Sequence, residues 1–329
     1  MRRTPVIVVG AGPGGCAAAV QCHRLGLAVR LLDRDGRPGG LVRNAHRIEN
    51  YPGLEPMDGN TFAARLGEQL ARFGIEIEPK RVTRLQATEP KRSCRPGWRL
   101  ETAAANGRNV TLEAMAVILG VGTRARPLGT PGEAEQVGRT VFYEVRELLR
   151  ALPEPRAVVV VGGGEAALDY ALTLASVAAT VRVVMRAERP RAAVRLLEAV
   201  AARRTIELRP GVLPEHILPT PCGVRLDCHA TEDRGGAAVS LAADAVLVAV
   251  GRESRVDEIV PGLPPANGEG MVPDSMGLCV IGDARRGCLG QAGIAVGDGL
   301  AAAMQVAEGL APGTTLPGAG GGAMTARFP

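Results

Sequence analysis

Val6-Ile-Val-Val-Gly10-Ala-Gly12-Pro-Gly-Gly15, running on into Cys-Ala-Ala-Ala-Val20, is the stretch whose reading decides the fold. A β run over Pro5–Val9 enters a turn with glycine at 10, 12 and 15, and an alanine-rich helical pattern continues to about Leu25. The G-x-G-x-x-G spacing between strand and helix has a physical reading. The first glycine permits the tight turn, the second lets the backbone approach a pyrophosphate, and the third lets helix and strand pack closely. The helix N-terminus then faces the phosphates. A second β run, Ala28–Leu32, ends at Asp33, about 20 residues past the turn, where an acid bonds a ribose hydroxyl. The βαβ unit predicts a dinucleotide held by Gly10, Gly12, Pro13, Gly14, Gly15 and Asp33.

The pattern recurs. Arg156–Val161 is a β-branched run, Gly162-Gly-Gly164-Glu165-Ala166-Ala167 the turn, Leu168–Ala178 a helix and Thr180–Met185 the next strand. The second fingerprint, G-x-G-x-x-A, has no acid at the ribose position. It has Arg186, Arg189 and Arg191, which suit the 2′-phosphate of NADP better than the hydroxyl of NAD. Two such folds in one chain imply two dinucleotides, FAD in the first and NADPH (or NADH) in the second. Further apolar strands end at Val250-Gly251 and at Ile281-Gly282-Asp283, and a helix is expected over about Gln291–Leu310. The stretch 311–329, rich in Gly, Pro, Thr and Ala, reads as a flexible tail.

Composition narrows the rest. The chain has 329 residues, enough for two domains, with 46% hydrophobic and 2% aromatic residues and a formal charge of +5. Arginines are scattered and aromatics scarce, which argues against a nucleic-acid surface and leaves room for an acidic protein partner. No two of the seven cysteines stand in C-x-x-C spacing, so neither a zinc ribbon nor a redox dithiol is encoded. Their odd number and dispersal fit a reducing cytoplasm, no metal site is expected, and no apolar run is long enough to span a membrane.

Longer motifs carry a resemblance. Gly39-Gly40-Leu41 followed by Ile48-Glu-Asn50-Tyr-Pro-Gly53 resembles the flavin-binding segment of the low-molecular-weight thioredoxin reductase family. Ile118-Leu-Gly-Val-Gly122-Thr123 is similar to that family's crossover into the nicotinamide domain, and Val250-Gly251 to the crossover back. Arg186–Ala192 resembles its NADPH arginine motif, with Ala187 in place of the middle arginine. Cys279–Asp283 resembles the last flavin-binding strand. Gln291-Ala292 resembles the pair lying against the flavin ring, with Gly290 where the family has arginine. The match runs in order from about residue 4 to 310. It implies an α/β fold of two Rossmann-like, three-layer domains, the NAD(P)H domain (122–248) inserted into a discontinuous FAD domain (1–121 and 249–310). It also implies FAD contacts at Gly40, Leu41, Asn50, Val82, Gly122, Gly282, Asp283, Gln291 and Ala292. The NAD(P)H contacts it implies are Gly162, Gly164, Glu165, Ala166, Ala167, Arg186, Arg191 and Gly251, and the expected assembly is a homodimer.

In those reductases the stretch before the second fingerprint carries the C-x-x-C that takes electrons from flavin. Aligned on Gly138-Arg139, those positions are Glu144 and Glu147 here, and a carboxylate forms no mixed disulfide. In a helical stretch the two acids share a face, either as proton donors to a substrate or as part of a solvated linker. Tyr143 is a candidate to stack near the flavin, and His46 a candidate proton carrier. Cys16, opening the first helix, is either a small packed residue or a candidate low-pKa thiol, and Cys288 a second such candidate. The expected function is electron transfer from NAD(P)H through FAD to an external iron–sulfur acceptor. That acceptor is a ferredoxin or a radical iron–sulfur enzyme such as a lipoyl synthase, by resemblance to thioredoxin-reductase-like ferredoxin–NADP reductases. Those reductases carry an aromatic C-terminal extension, and Phe328 is the only aromatic in this tail. The alternatives are a small-molecule thiol/disulfide oxidoreductase using a lone cysteine and a non-catalytic flavin redox sensor.

Overall fold

The computed structural model describes residues 5–88, 97–104, 109–231, 235–263 and 277–310. The expected tail with Phe328, and the side chain of Cys288, lie outside the described residues. Two compact units emerge. One takes the residues up to Val42, Thr61–Thr123 and those from Ser254 on; the other takes Arg43–Asn60 and Arg124–Glu253. Residues 43–60, expected within the first domain, cluster with the second unit.

The first unit opens with β1 (Val6–Val9), α1 (Pro13–Arg24), β2 (Val29–Asp33), α2 (Gly59–Arg72) and the long β3 (Ile77–Ala87). β4 (Trp98–Ala104), β5 (Asn109–Ala114) and β6 (Ala116–Leu119) follow, and after the second unit come β17 (Leu278–Val280), the short α7 (Asp283–Arg286) and α8 (Ala292–Leu310). Its sheet runs β17-β6-β1-β2-β3-β4-β5, parallel through β3 and antiparallel beyond. β1 and β6 are buried at every residue, which is why they read as unbroken apolar runs. Alternation still sorts their faces. Val6, Val8 and Ile118 pack with α1 and α8, whereas Ile7, Val9 and Leu119 pack with Trp98, Leu100 and Leu112 of the antiparallel meander. The result is three layers: helices, parallel sheet, meander.

The second unit repeats the plan. After β7 (Thr123–Ala125), α3 (Glu133–Gln136), β8 (Val141–Phe142) and α4 (Val145–Ala151) come β9 (Ala157–Val161), α5 (Glu165–Leu174), β10 (Thr180–Met185) and α6 (Val194–Ala201). Then follow β11 (Ile206–Pro210), β12 (Val212–Thr220), β13 (Gly223–Ala230), β14 (Ala238–Ala243), β15 (Ala245–Val248) and β16 (Arg252–Ser254). The parallel sheet β11-β10-β9-β15-β8 carries helices on one face and the antiparallel β12-β13-β14 meander on the other. Strands β7 and β16, through which the chain passes between units, pair with each other. Among the described residues no helix is long and apolar enough to cross a membrane.

Candidate functional site: two glycine turns and a carboxylate hub

Both fingerprints become strand–turn–helix junctions, and the space around their glycines shows what each is for. Gly10 has φ +98°, and a Cβ there would lie 2.3 Å from the Gly120 carbonyl oxygen. A Cβ on Gly15 would lie 1.8 Å from the Gly10 oxygen. Both are glycine because the protein itself leaves no room. Gly12 differs: nothing lies within 4 Å of a Cβ built there. It is the residue before α1, with Pro13 opening the helix, as helix starts favour. The open space at Gly12 leaves room for a pyrophosphate to approach a helix N-terminus, where N–H groups lack intrahelical partners. Asp33 is held across this turn, its Oδ2 accepting the Ala11 N–H at 2.9 Å and its Oδ1 that of Asp35 at 2.9 Å. Gly40 (φ +52°) brings its missing Cβ to 3.4 Å from the Gly12 Cα, so Gly39–Leu41 borders the same turn. These residues fit FAD.

The second turn reproduces the first. Gly162 (φ +147°) places a built Cβ 2.3 Å from the Ala249 oxygen, the counterpart of Gly10 against Gly120, and Gly164 has nothing within 4 Å. Ala167 takes the third position, fully buried. The arginine loop is clipped to the turn: the Arg191 N–H donates to the Gly163 oxygen at 2.7 Å, and Glu165 Oε1 accepts the Ala193 N–H at 3.1 Å. Arg186, at the end of β10, and Arg191 are exposed, as is Ala166 at the start of α5. Gly251 takes φ +120° just before β16. These residues fit a phosphorylated dinucleotide.

Other expected contacts fall as follows. Gly122 (φ +64°) has open space, and Gly282 (φ +64°) leads into Asp283 at the start of α7. Gln291 and Ala292 stand where α8 begins. Asn50 lies in the segment 43–60 that clusters with the second unit. Val82 is buried in the core of the first unit, beside the register shift in β3.

The segment before the second fingerprint departs most from expectation. Glu144 and Glu147 do not share a helical face, because Glu144 is the extended residue capping α4 (φ −128°, ψ 130°) and Glu147 lies in its first turn. Nor is Glu144 on a solvated linker. Its Oε2 accepts from Asn44 Nδ2 at 2.7 Å and from the Tyr170 hydroxyl at 2.8 Å, and its Oε1 accepts from Arg252 Nη1 at 2.8 Å. Both of its oxygens are thereby engaged. Glu147 instead lines a cavity of about 380 Å³ with Tyr143, Phe142 and Arg150. The Tyr143 hydroxyl donates to Glu133 Oε1 at 2.9 Å, and burial with that bond pushes its pKa up to about 12. Glu133, itself buried, also accepts the N–H groups of Leu128 and Gly129.

His46 is held by its backbone, donating N–H to Asp169 Oδ2 at 2.8 Å. Burial, then Arg203 and Arg47, lower its imidazole pKa. The helix-start reading of Cys16 is overturned. Its thiol is buried and donates to the Ala11 oxygen at 3.2 Å, and burial pushes its pKa up to about 12, so it is no redox nucleophile.

Sequence reasoning missed Asn44, Asp169, Tyr170, Glu133 and Arg252. For two of them a signal existed: Asp169-Tyr170 stands mid-helix in an otherwise apolar α5. Burial raises the Asp169 pKa from 3.8 to about 6, against the lowering effect of the N–H groups of His46 and Arg47. Between those two values the folded state holds the proton that the unfolded chain has lost. Stability therefore falls as pH rises from about 4 to 6, by roughly 3 kcal/mol in all. Glu78 acts in the opposite sense: Arg30, with Lys80, lowers its pKa to about 2, a contribution lost below about pH 4.5. Asp169→Asn keeps an oxygen for His46 and is expected to raise the melting temperature at pH 7.5. It should also flatten the pH 4–6 slope; an unchanged slope in thermal melts would refute the assignment.

Residues 4–299 match the family model described as Pyridine nucleotide-disulphide oxidoreductase. The chain is 36% identical over 261 residues, 74% of this chain and 71% of that protein, to a ferredoxin–NADP reductase of Rhodospirillum rubrum. It is 33% identical over 187 residues to a thioredoxin reductase of Bacillus subtilis, an alignment covering 57% of this chain and just 55% of that one. The fold superposes on thioredoxin reductase of Lactococcus lactis with a TM-score of 0.79 at 26% identity, over 92% of this chain and 98% of that one.

Proposed function

Since the chain belongs to the pyridine nucleotide-disulphide oxidoreductase family and is an FAD-dependent NAD(P)H oxidoreductase, we propose that it passes electrons from NADPH through FAD directly to an external iron–sulfur protein. When bound, FAD accepts a hydride pair and can release electrons one at a time. The observation that carries the reading is Glu144. At the place where the resembling reductases carry a redox sulfur, this chain has a carboxylate bonded on both oxygens, and no C-x-x-C occurs anywhere in the sequence. A carboxylate cannot relay electrons to a disulfide substrate, so the acceptor must meet the flavin itself. A ferredoxin is the general case, a radical iron–sulfur enzyme the narrower one, and the ferredoxin–NADP reductase relative supports the former.

The protein's own part is binding and orientation. We assign FAD to the Gly10–Gly15 turn, with Asp33, Gly40, Gly282–Asp283 and the start of α8. NADPH is assigned to the Gly162–Ala167 turn with Arg186 and Arg191. A working homodimer is part of the same proposal.

Anaerobic rapid mixing tests it. NADPH should bleach the flavin absorbance quickly, and the reduced protein should then reduce ferredoxin but not thioredoxin. Brisk thioredoxin reduction sinks the reading, and failure of NADPH to bleach the flavin leaves only a redox sensor. Arg186→Ala and Arg191→Ala should each raise KM for NADPH about 10–100-fold, the worth of a charge-assisted bond, with KM for NADH unmoved. Equal effects on both nucleotides would remove the 2′-phosphate assignment.

A further inference from the structure

Asp298 and Glu308 are the only charged residues in α8. Asp298 is buried, and its carboxylate is fully engaged. Oδ2 accepts the Gly282 N–H at 3.1 Å and Arg286 Nε at 3.1 Å, and Oδ1 accepts Arg286 Nη2 at 2.6 Å. Arg285 Nη1 stands 3.9 Å from the same carboxylate. We infer that Asp298 is a positioning residue for FAD, fixing, with Arg286, the Gly282–Asp283 turn relative to the Gly10–Gly15 turn. This rests on the FAD reading above.

Two neighbours give the inference its geometry. Next along α8, a Cβ on Gly299 would lie 2.1 Å from the Gly14 oxygen, and a Cβ on Gly14 would lie 2.7 Å from the Ala295 oxygen. Helix α8 is therefore seated on the start of α1 with no slack, at the first glycine turn. One residue before Gly299, Asp298 reaches the other way and holds Gly282, whose φ of +64° and ψ of −150° suit glycine alone. One helix thus sets the spacing between two turns that must bind parts of one nucleotide.

The second neighbour is Gly290, where the resembling family has arginine. A Cβ there would lie 2.8 Å from both Cγ and Oδ1 of Asp283. Asp283 fills the room in which a side chain at 290 would begin. Of the two arginines in this loop, Arg286 is bound two-pronged to Asp298, a geometry that fixes direction as well as charge. Asp298 does not itself have to touch the nucleotide; its effect passes through the Gly282 amide and the placement of Asp283.

The test titrates apo-protein with FAD for wild type, Asp298→Ala, Asp298→Asn and Arg286→Ala, reading the dissociation constant, the visible spectrum of bound flavin and the melting temperature of apo-protein. Asp298→Ala is expected to weaken FAD at least tenfold and to shift the bound spectrum. Asp298→Asn, which keeps an oxygen for the Gly282 N–H, should recover much of the affinity. A dissociation constant within threefold of wild type for Asp298→Ala overturns the inference, as does a lowered apo melting temperature with an unmoved spectrum, the mark of a merely structural pair. Should Asp298→Ala fail to fold, Arg286→Ala carries the test, since the Arg286 side chain is 31% exposed. It should weaken FAD in the same direction, and unchanged affinity there also overturns the inference. Wild type that binds no FAD defeats the FAD reading itself, which the wild-type control reveals separately.

Discussion

Gly15→Ala protein is expected to purify colourless. The added Cβ falls 1.8 Å from the Gly10 carbonyl oxygen, a backbone atom that cannot swing aside. The start of α1 must back away from β1, and overpacking of this kind costs about 1–3 kcal/mol. The same displacement pulls the helix N-terminus from the phosphates it faces, so FAD affinity should fall about 100-fold, at about 1.4 kcal/mol per tenfold. Gly12→Ala separates ligand from protein. Its Cβ meets no protein atom within 4 Å, so the apo-protein should melt like wild type while binding FAD weakly. Flavin-to-protein ratio, read beside the apo melting temperature, checks both. Gly15→Ala retaining full flavin, or Gly12→Ala binding it normally, would mean that the turn does not hold the pyrophosphate.

Glu144→Ala is expected to be the most damaging single change in the second unit. It strands three donors: the Arg252 guanidinium, the Tyr170 hydroxyl and the Asn44 amide. The Glu144 and Arg252 side chains are 15% and 26% exposed, so solvent cannot fully replace the lost carboxylate. Breaking a buried pair from one side costs about 3–5 kcal/mol; at the lower end, given partial exposure, the unfolding midpoint should drop by about 6–12 °C. Glu144→Gln keeps an acceptor oxygen and should lose far less. Calorimetry on both variants decides it, and Glu144→Ala within about 1 °C of wild type would show that the hub carries no stability.

Local pattern reached the parallel strands and the glycine turns because their information is local. Val6–Val9 and Ala157–Val161 are buried almost throughout, and an unbroken apolar run announces that. The antiparallel meanders were not legible. β12 carries Pro214 and Pro219, and β3 buries only Val82 and Leu85 deeply, so neither shows clean alternation. The hub was illegible for a different reason: Glu144 meets partners 100 and 108 residues away, and His46 meets Asp169 across 123. No window sees such pairs. Of the two readings of Cys16, the packed residue is the one the burial agrees with, because the helix-start effect is small beside burial in the core under α1.

The central claim is that electrons leave the flavin with no protein sulfur pair between it and the acceptor. Counting electrons tests this most directly. In an anaerobic titration with NADPH or dithionite, the protein should be fully reduced by two electrons per bound FAD, with no further uptake. Uptake of four electrons per FAD, half of them before the flavin absorbance is lost, would reveal a redox-active disulfide and contradict the account.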